Sequence, residues 1–434
     1  MAASTGGLPR WRDRLALLLW LVVPFLVYAG NHKAAGGGDS VPAALIPVVL
    51  VLDETVLLDR FAAEEHRRPV HPYWLVDTPH GTASFYPIAT PLLVTPILAG
   101  PILLQQWWHP LTVEAWRDLA VGPYQSITAA LIAALAVVLF RQLCRMLGFA
   151  RWLSVALTAL FAFGSEMMST VSQALWQHGP GILLLLAAMA LLLRLPRGRW
   201  PAALGFGLCL GLAIAVRPTN LLLAGPLWLA AVPRAPRAAV LAALAATLAG
   251  APFGLYNLWL FGTLLGGYAG ELGWHGAAQF ATGLAGVLVS PGRGLLIYFP
   301  ATLLAMVLLL RRPAVWRDAL VPALVAGSAL QVVMIAAWDM WWGGFCFGPR
   351  LLSEIQAPIL LLLGLAFPAE PGPRRAAGAA LALVLAFSLG VQLIGAYSQA
   401  AIRWNGAPVS VDSDNARLWQ VADSPLLRGL RGPW

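Results

Sequence analysis

The 434-residue sequence predicts an all-α integral membrane protein: a single polytopic bundle of about eleven transmembrane helices, with short interfacial helices in its first external loop. Three observations predict it. Apolar residues make up 59% of the chain and charged residues 11%, far below the quarter or so usual in soluble domains. The apolar residues fall in long blocks, such as 181–193, 202–216 and 376–393, rather than in amphipathic stripes. The arginines gather in short clusters between those blocks. Blocks of about 20 apolar residues cross a bilayer as helices, because a helix satisfies its own backbone hydrogen bonds where lipid cannot. A β-barrel would need short alternating segments, and the sequence has none.

The charge follows the same plan. The formal net charge is +9, and Lys33 is the only lysine. Because the arginines sit in inter-block clusters, the excess reads as membrane orientation rather than nucleic-acid binding. The clusters are Arg10/Arg12/Arg14, Arg141/Arg145/Arg151, Arg194/Arg197/Arg199, Arg234/Arg237, Arg311/Arg312/Arg317 and Arg374/Arg375. If each marks a cytoplasmic loop, two spans separate successive clusters. The spans then fall near residues 15–29, 126–140, 153–170, 181–193, 202–216, 220–232, 238–261, 294–310, 319–337, 351–367 and 376–397. This places the N-terminus in the cytoplasm, on an uncleaved signal anchor, and a tail at 398–434 outside. Cys144, Cys209 and Cys346 are far apart and form neither a metal spacing nor a disulfide framework.

Residues 31–125 then form one large external loop. Its segment 91–104 is apolar enough for a helix, but Pro91, Pro96 and Pro101 and its modest length argue against a straight span. The segment reads as an interfacial or re-entrant helix. A loop this long in a compact membrane protein is usually functional.

The motif Gly36-Gly37-Gly38-Asp39 after the first span resembles the GT-C superfamily of membrane glycosyltransferases, which includes protein O-mannosyltransferases and the aminoarabinose transferases of lipid A. The resemblance continues through Leu57-Leu58-Asp59-Arg60-Phe61, Ser84-Phe85-Tyr86-Pro87, Trp176-Gln177-His178-Gly179-Pro180, Arg217-Pro218-Thr219-Asn220, Ser290-Pro291-Gly292-Arg293-Gly294, Trp341-Trp342-Gly343-Gly344 and Phe347-Gly348-Pro349-Arg350. It covers nearly the full length, and its specificity lies in the order of the motifs. It implies a polyprenyl-phosphate sugar donor and a catalytic acidic residue in the first external loop, at Asp39. Two departures stand out. The second external loop, 171–180, has His178 but no Asp or Glu, and the Trp-Trp-Asp-Tyr-Gly signature of oligosaccharyltransferases is absent. Both put a metal-dependent mechanism in doubt.

Each candidate residue has an ordinary alternative. Asp39 suits a general base that takes the proton from an acceptor hydroxyl, or an N-cap for the following run. Asp53, Glu54, Asp59, Glu64, Glu65, His66, Arg67 and Arg68 read as solvated charges, and His32, His71 and His80 lack zinc-ligand spacing. Arg217, Arg293 and Arg350 each stand alone at the outer end of a predicted span. A boundary arginine binds an anionic substrate or internal carboxylate, or snorkels to headgroups. Glu166, inside the third span, suits a partner for one of these arginines or a second active-site acid. His178 suits a hydrogen bond to donor phosphate or acceptor, or a polar helix start. Trp341 and Trp342 read first as interfacial anchors, and second as a platform for a sugar or prenyl chain.

The expected chemistry is inverting sugar transfer at the outer face of a bacterial inner membrane, to an acceptor the sequence does not identify. The partners are the polyprenyl-phosphate donor and membrane lipids; no nucleic acid, metal or cofactor is implied. A non-enzymatic flippase for lipid-linked sugars and an oligosaccharide ligase or polymerase are the rival expectations.

Overall fold

The computed structural model describes residues 11–31, 36–68, 72–198, 200–270 and 276–432. His32, His71, Lys33, Arg10 and Arg199 lie outside the described residues. The described residues are mainly helical, with one two-stranded antiparallel hairpin among them. It opens with α1 (Trp11–Ala29), α2 (Val41–Leu52) and α3 (Asp59–His66). The hairpin β1 (Leu75–Thr78) and β2 (Gly81–Ser84) follows, then α4 (Ala89–Trp108), α5 (Val113–Leu119), α6 (Gln125–Met146) and α7 (Arg151–Phe163). Next come α8 (His178–Leu192), α9 (Trp200–Val216), α10 (Leu221–Ala231), α11 (Pro236–Phe261), α12 (Ala277–Val289), α13 (Leu295–Tyr298) and α14 (Ala301–Arg311). The chain ends with α15 (Leu320–Ala337), α16 (Ser353–Leu365), α17 (Pro371–Tyr397), α18 (Gln399–Arg403) and α19 (Pro425–Arg431).

Among the described residues, five helical stretches are long and apolar enough to cross a membrane: Ala89–Trp108, Val113–Met146, Pro236–Phe261, Leu320–Ala337 and Pro371–Tyr397. The first of these, Ala89–Trp108, is the segment read from the sequence as an interfacial or re-entrant helix; the other four overlap predicted spans, and each of the remaining seven predicted spans also contains a helix. Large apolar side chains face outward along these helices, including Leu244, Leu248 and Leu255 of α11 and Leu383 and Phe387 of α17. Water would penalise such a surface, whereas lipid matches it. The chain is therefore an all-α membrane protein.

Small residues set the tightest packing. A Cβ at Gly207 or Gly211 of α9 would stand 2.0 or 2.2 Å from the Ala242 or Ala246 carbonyl oxygen of α11. This four-residue glycine spacing lets two backbones touch, as is common between membrane helices.

Two segments differ from expectation. Pro96 and Pro101 do not break α4, which runs unbroken for 20 residues. The carbonyls these prolines free are those of Leu92 and Ile97, and proline inside an apolar helix is tolerated where the surrounding structure accommodates them. The other is the predicted span at 126–140, which continues backward to Val113 through a π-turn at Ala120–Tyr124. That 34-residue stretch is about 51 Å long at 1.5 Å per residue, so it outreaches a hydrocarbon core of about 30 Å.

The first-loop charges are more structural than expected. Glu65 is buried and accepts from Arg117 Nε at 2.7 Å, which ties α3 to α5. Asp59 accepts from the Thr82 amide at 2.9 Å and so holds the hairpin on α3. Asp53 pairs with Arg60. The tail after α17 packs back onto the bundle: the Gly292 amide donates to Leu418 O at 3.1 Å, and Ser290 Oγ to the same carbonyl at 2.7 Å.

Candidate functional site

Asp39 and Arg350, 311 positions apart, meet. Arg350 Nη1 donates to Asp39 Oδ2 at 2.7 Å. The N-cap of α2 is Ser40, and it makes no side-chain cap bond, so Asp39 is not there to cap the helix. Glycine explains how Asp39 is held: a Cβ at Gly38 would stand 2.5 Å from the Tyr73 hydroxyl oxygen. The chain can pass this close to Tyr73 only without a side chain.

Arg350 is buried and held on three sides. Its Nη2 donates to Gly343 O at 2.8 Å, and its guanidinium carbon lies 4.2 Å from the Trp176 ring centroid. Its Nε is buried without a partner. Gly343 and Gly348 have φ of +73° and +63°, a region glycine enters freely, and they shape the loop that delivers Arg350. Burial is the largest single effect and lowers the Arg350 pKa, but the groups around it, Asp39 foremost, together outweigh it and the net direction is up. The guanidinium stays charged and remains an anion ligand.

Beside this pair lies a small cleft whose free space is on the scale of a single water. Asp39 lines one part of it. Pro42 and Ile46 of α2 face Thr90 and Pro91 of α4, and Tyr86 and Gln177 complete the polar lining. Tyr86, Phe85 and Tyr268 form a ring cluster, with centroids 5.2 Å (Phe85–Tyr86) and 5.4 Å (Phe85–Tyr268) apart. Gln177 Nε2 donates to the Tyr268 hydroxyl at 3.3 Å. Burial pushes Tyr268 up to about 12, and burial, then Asp39, pushes Tyr86 up as well. Both phenols therefore stay neutral donors at ordinary pH.

A second charged group braces the site. His178 Nδ1 lies 2.8 Å from Glu354 Oε1, and Arg217 Nη1 lies 2.7 Å from Glu354 Oε2. The Arg217 contact is a charge pair without aligned hydrogen-bond geometry, since Oε2 has no hydrogen-bond partner. A carboxylate only accepts, so His178 donates through Nδ1; the 3.4 Å approach of Arg217 to the same nitrogen is then not a hydrogen bond. Arg217 also donates to Leu351 O at 3.3 Å. This triad joins the turn carrying Arg350 to the start of α8, where Trp176 and Gln177 stand. Sequence reasoning missed Glu354. A lone carboxylate opening an apolar helix was the available signal.

No family model, no curated protein and no solved structure matches this chain. The site is therefore read from its own geometry.

The other candidates are elsewhere. Four donations from Arg293 are occupied: Nε to Trp342 O at 3.0 Å, Nη1 to Gly292 O at 2.9 Å, and Nη2 to Gly344 O at 3.1 Å and Asn405 Oδ1 at 2.6 Å. It clamps the 341–344 loop to the tail. Trp341 and Trp342 are buried, not interfacial: Trp341 packs over Gly286, and Trp342 Nε1 donates to Asp412 at 2.8 Å. Among the described residues Glu166 has no ion-pair partner. Its Oε2 accepts from Thr170 Oγ1 at 2.9 Å, and its Oε1 is buried without a partner under Gly348. Among the described residues, no three His, Cys, Asp or Glu side chains group as metal ligands.

Proposed function

We propose that this chain is a membrane glycosyltransferase that takes a sugar from a polyprenyl-phosphate carrier and passes it to an acceptor hydroxyl at the outer face of a bacterial inner membrane. The observation that carries the reading is the Asp39–Arg350 pair at the edge of the cleft. It joins an always-charged phosphate ligand to a carboxylate that lines a small cleft. The acceptor oxygen attacks the anomeric carbon, and the bond from that carbon to the phosphate oxygen breaks. The electron pair leaves on the prenyl phosphate, where Arg350 stabilises it, and Asp39 takes the acceptor's proton. The surrounding low dielectric strengthens both charges' effects.

The matching topology is a GT-C-like bundle of eleven spans with α2 to α5 on the outer side. In this arrangement α4 lies at the interface, consistent with its packing on α2 and its exposed terminal Trp107 and Trp108. Single cysteines at exposed Asp77 and Ser413, in a background lacking Cys144, Cys209 and Cys346, are expected to react with an impermeant thiol reagent from outside. Reaction only from the cytoplasmic side overturns this topology.

The donor site is tested by binding of a polyprenyl phosphate to the detergent-solubilised chain. Arg350→Ala is expected to weaken it roughly ten- to a hundredfold, the range for losing a hydrogen bond to a charged group. Arg350→Lys is expected to restore only part, because an ammonium lacks the guanidinium fork. Unchanged affinity in both variants removes Arg350 from the site.

A further inference from the structure

The end of the bundle opposite the Asp39–Arg350 pair has a basic corner. α16 runs between the two, from just after Arg350 to just before Phe367. At that far end α7 and α17 begin and α14 finishes, which brings Arg151, Arg311, Arg312, Arg374 and Arg375 to one corner. Two aromatic rings organise them. Trp152 meets Phe367 edge-on with centroids 5.3 Å apart, and the Arg374 guanidinium carbon lies 5.5 Å from the Trp152 ring centroid. Arg312 Nη1 donates to Phe367 O at 2.5 Å. Arg151, Arg311, Arg374 and Arg375 are exposed, and none of them pairs with a carboxylate among the described residues. Glu370 is the one acidic residue in the segments 145–155, 305–317 and 365–378, and Asp318, just beyond, is taken by Arg234. Both α7 and α17 start here without a side-chain cap bond, so their first-turn amides add partial positive charge.

We propose that this corner binds the headgroup of an acidic phospholipid, one carrying two phosphates, from the leaflet at that end of the bundle. The site is separate from the proposed transfer chemistry. Five guanidiniums against one carboxylate exceed what a single phosphate neutralises, and guanidinium matches phosphate oxygens in pairs. What favours a lipid over a soluble anion is the surface next to the charge. Leu303, Met306, Val307 and Leu310 of α14 are exposed, and their spacing puts them on one face that leads up to Arg311. An acyl chain lies along that face while its headgroup meets the arginines. Half-exposed Trp152 suits the boundary between the two. Basic pockets between membrane helices hold such headgroups by the same combination of charge and apolar wall.

The test is native mass spectrometry of the full chain in detergent, with cardiolipin, phosphatidylglycerol, phosphatidylethanolamine and inorganic pyrophosphate as probes. The wild type is expected to retain one cardiolipin in preference to phosphatidylglycerol, and phosphatidylethanolamine least. Arg374→Gln/Arg375→Gln is expected to weaken cardiolipin binding about thirtyfold, the worth of two arginines beside an anionic lipid. Arg151→Gln/Arg311→Gln is expected to lose a similar factor, and it keeps the test readable if the first pair misfolds. Both should melt like the wild type in lipid-free detergent, because the side chains removed are exposed. The control Arg194→Gln/Arg237→Gln removes the same charge from exposed positions elsewhere on that end, and should leave cardiolipin affinity within about twofold. An equal loss in the control shows diffuse surface charge and overturns the site. So does cardiolipin binding no tighter than phosphatidylethanolamine, or unchanged affinity in both corner variants. Pyrophosphate binding as tightly as cardiolipin overturns the lipid in favour of a soluble anion.

Discussion

Asp39→Asn is expected to lower sugar transfer by about two to four orders of magnitude, the usual worth of general-base assistance. Asparagine keeps the shape of aspartate but cannot accept the proton. The fold has little at stake, because Ser40, not Asp39, occupies the N-cap of α2, and an amide oxygen can still accept from Arg350 Nη1. Donor binding should be at least as tight as in the wild type, since a neutral amide competes less with phosphate for the guanidinium. The measurement is the rate of label transfer from a radiolabelled polyprenyl-phosphate sugar into membrane acceptors, alongside thermal stability and donor affinity. Near-normal transfer by a well-folded Asp39→Asn chain removes Asp39 as the base. A carrier that only moved lipid-linked sugars would show no transfer in either form.

The helices were legible because each predicted span is an apolar block bounded by arginine, proline or glycine, and local sequence is enough to place such an element. Helix length was less legible. The prolines of α4 argued for a short, broken piece, yet the helix continues through Pro96 and Pro101, because its surroundings rather than its propensity decide. Asp39 and Arg350 were each visible alone, as an acid after a glycine run and a solitary boundary arginine. That they touch was not visible, since contact across 311 positions depends on the packing of the whole bundle. Arg217, Arg293 and Arg350 all read as solitary boundary arginines in the sequence, with Pro349 and the glycines before it setting Arg350 apart as the stronger ligand candidate. Their partners separate them: a carboxylate beside a cleft for Arg350, a buried carboxylate for Arg217, and backbone carbonyls for Arg293. Tryptophans misled for a similar reason. Trp341 and Trp342 carry the composition of an interfacial anchor, but the 341–344 loop turns them inward against Gly286 and Asp412.

Glu354→Ala is expected to be the most destabilising single change in the site. The substitution leaves Arg217, 7% exposed, without its counter-charge, and His178, 4% exposed, without its acceptor. Removing one partner of a buried ion pair typically costs about 3–5 kcal/mol, because the remaining charge stays desolvated and uncompensated. The Arg350 turn loosens with it, since Arg217 also holds Leu351 O. Glu354→Gln keeps an acceptor for His178 but loses the charge, so an intermediate loss is expected. The double variant Glu354→Ala/Arg217→Met removes both charges and should recover much of the stability, though not donor binding, if the damage comes from the stranded guanidinium. Thermal unfolding in detergent, followed by size-exclusion chromatography, reads the stability, and polyprenyl-phosphate affinity reads the site. Equal stability losses in the single and double variants would show that Arg217 and Glu354 do not act as a pair, and the brace beneath Arg350 would then have to lie elsewhere.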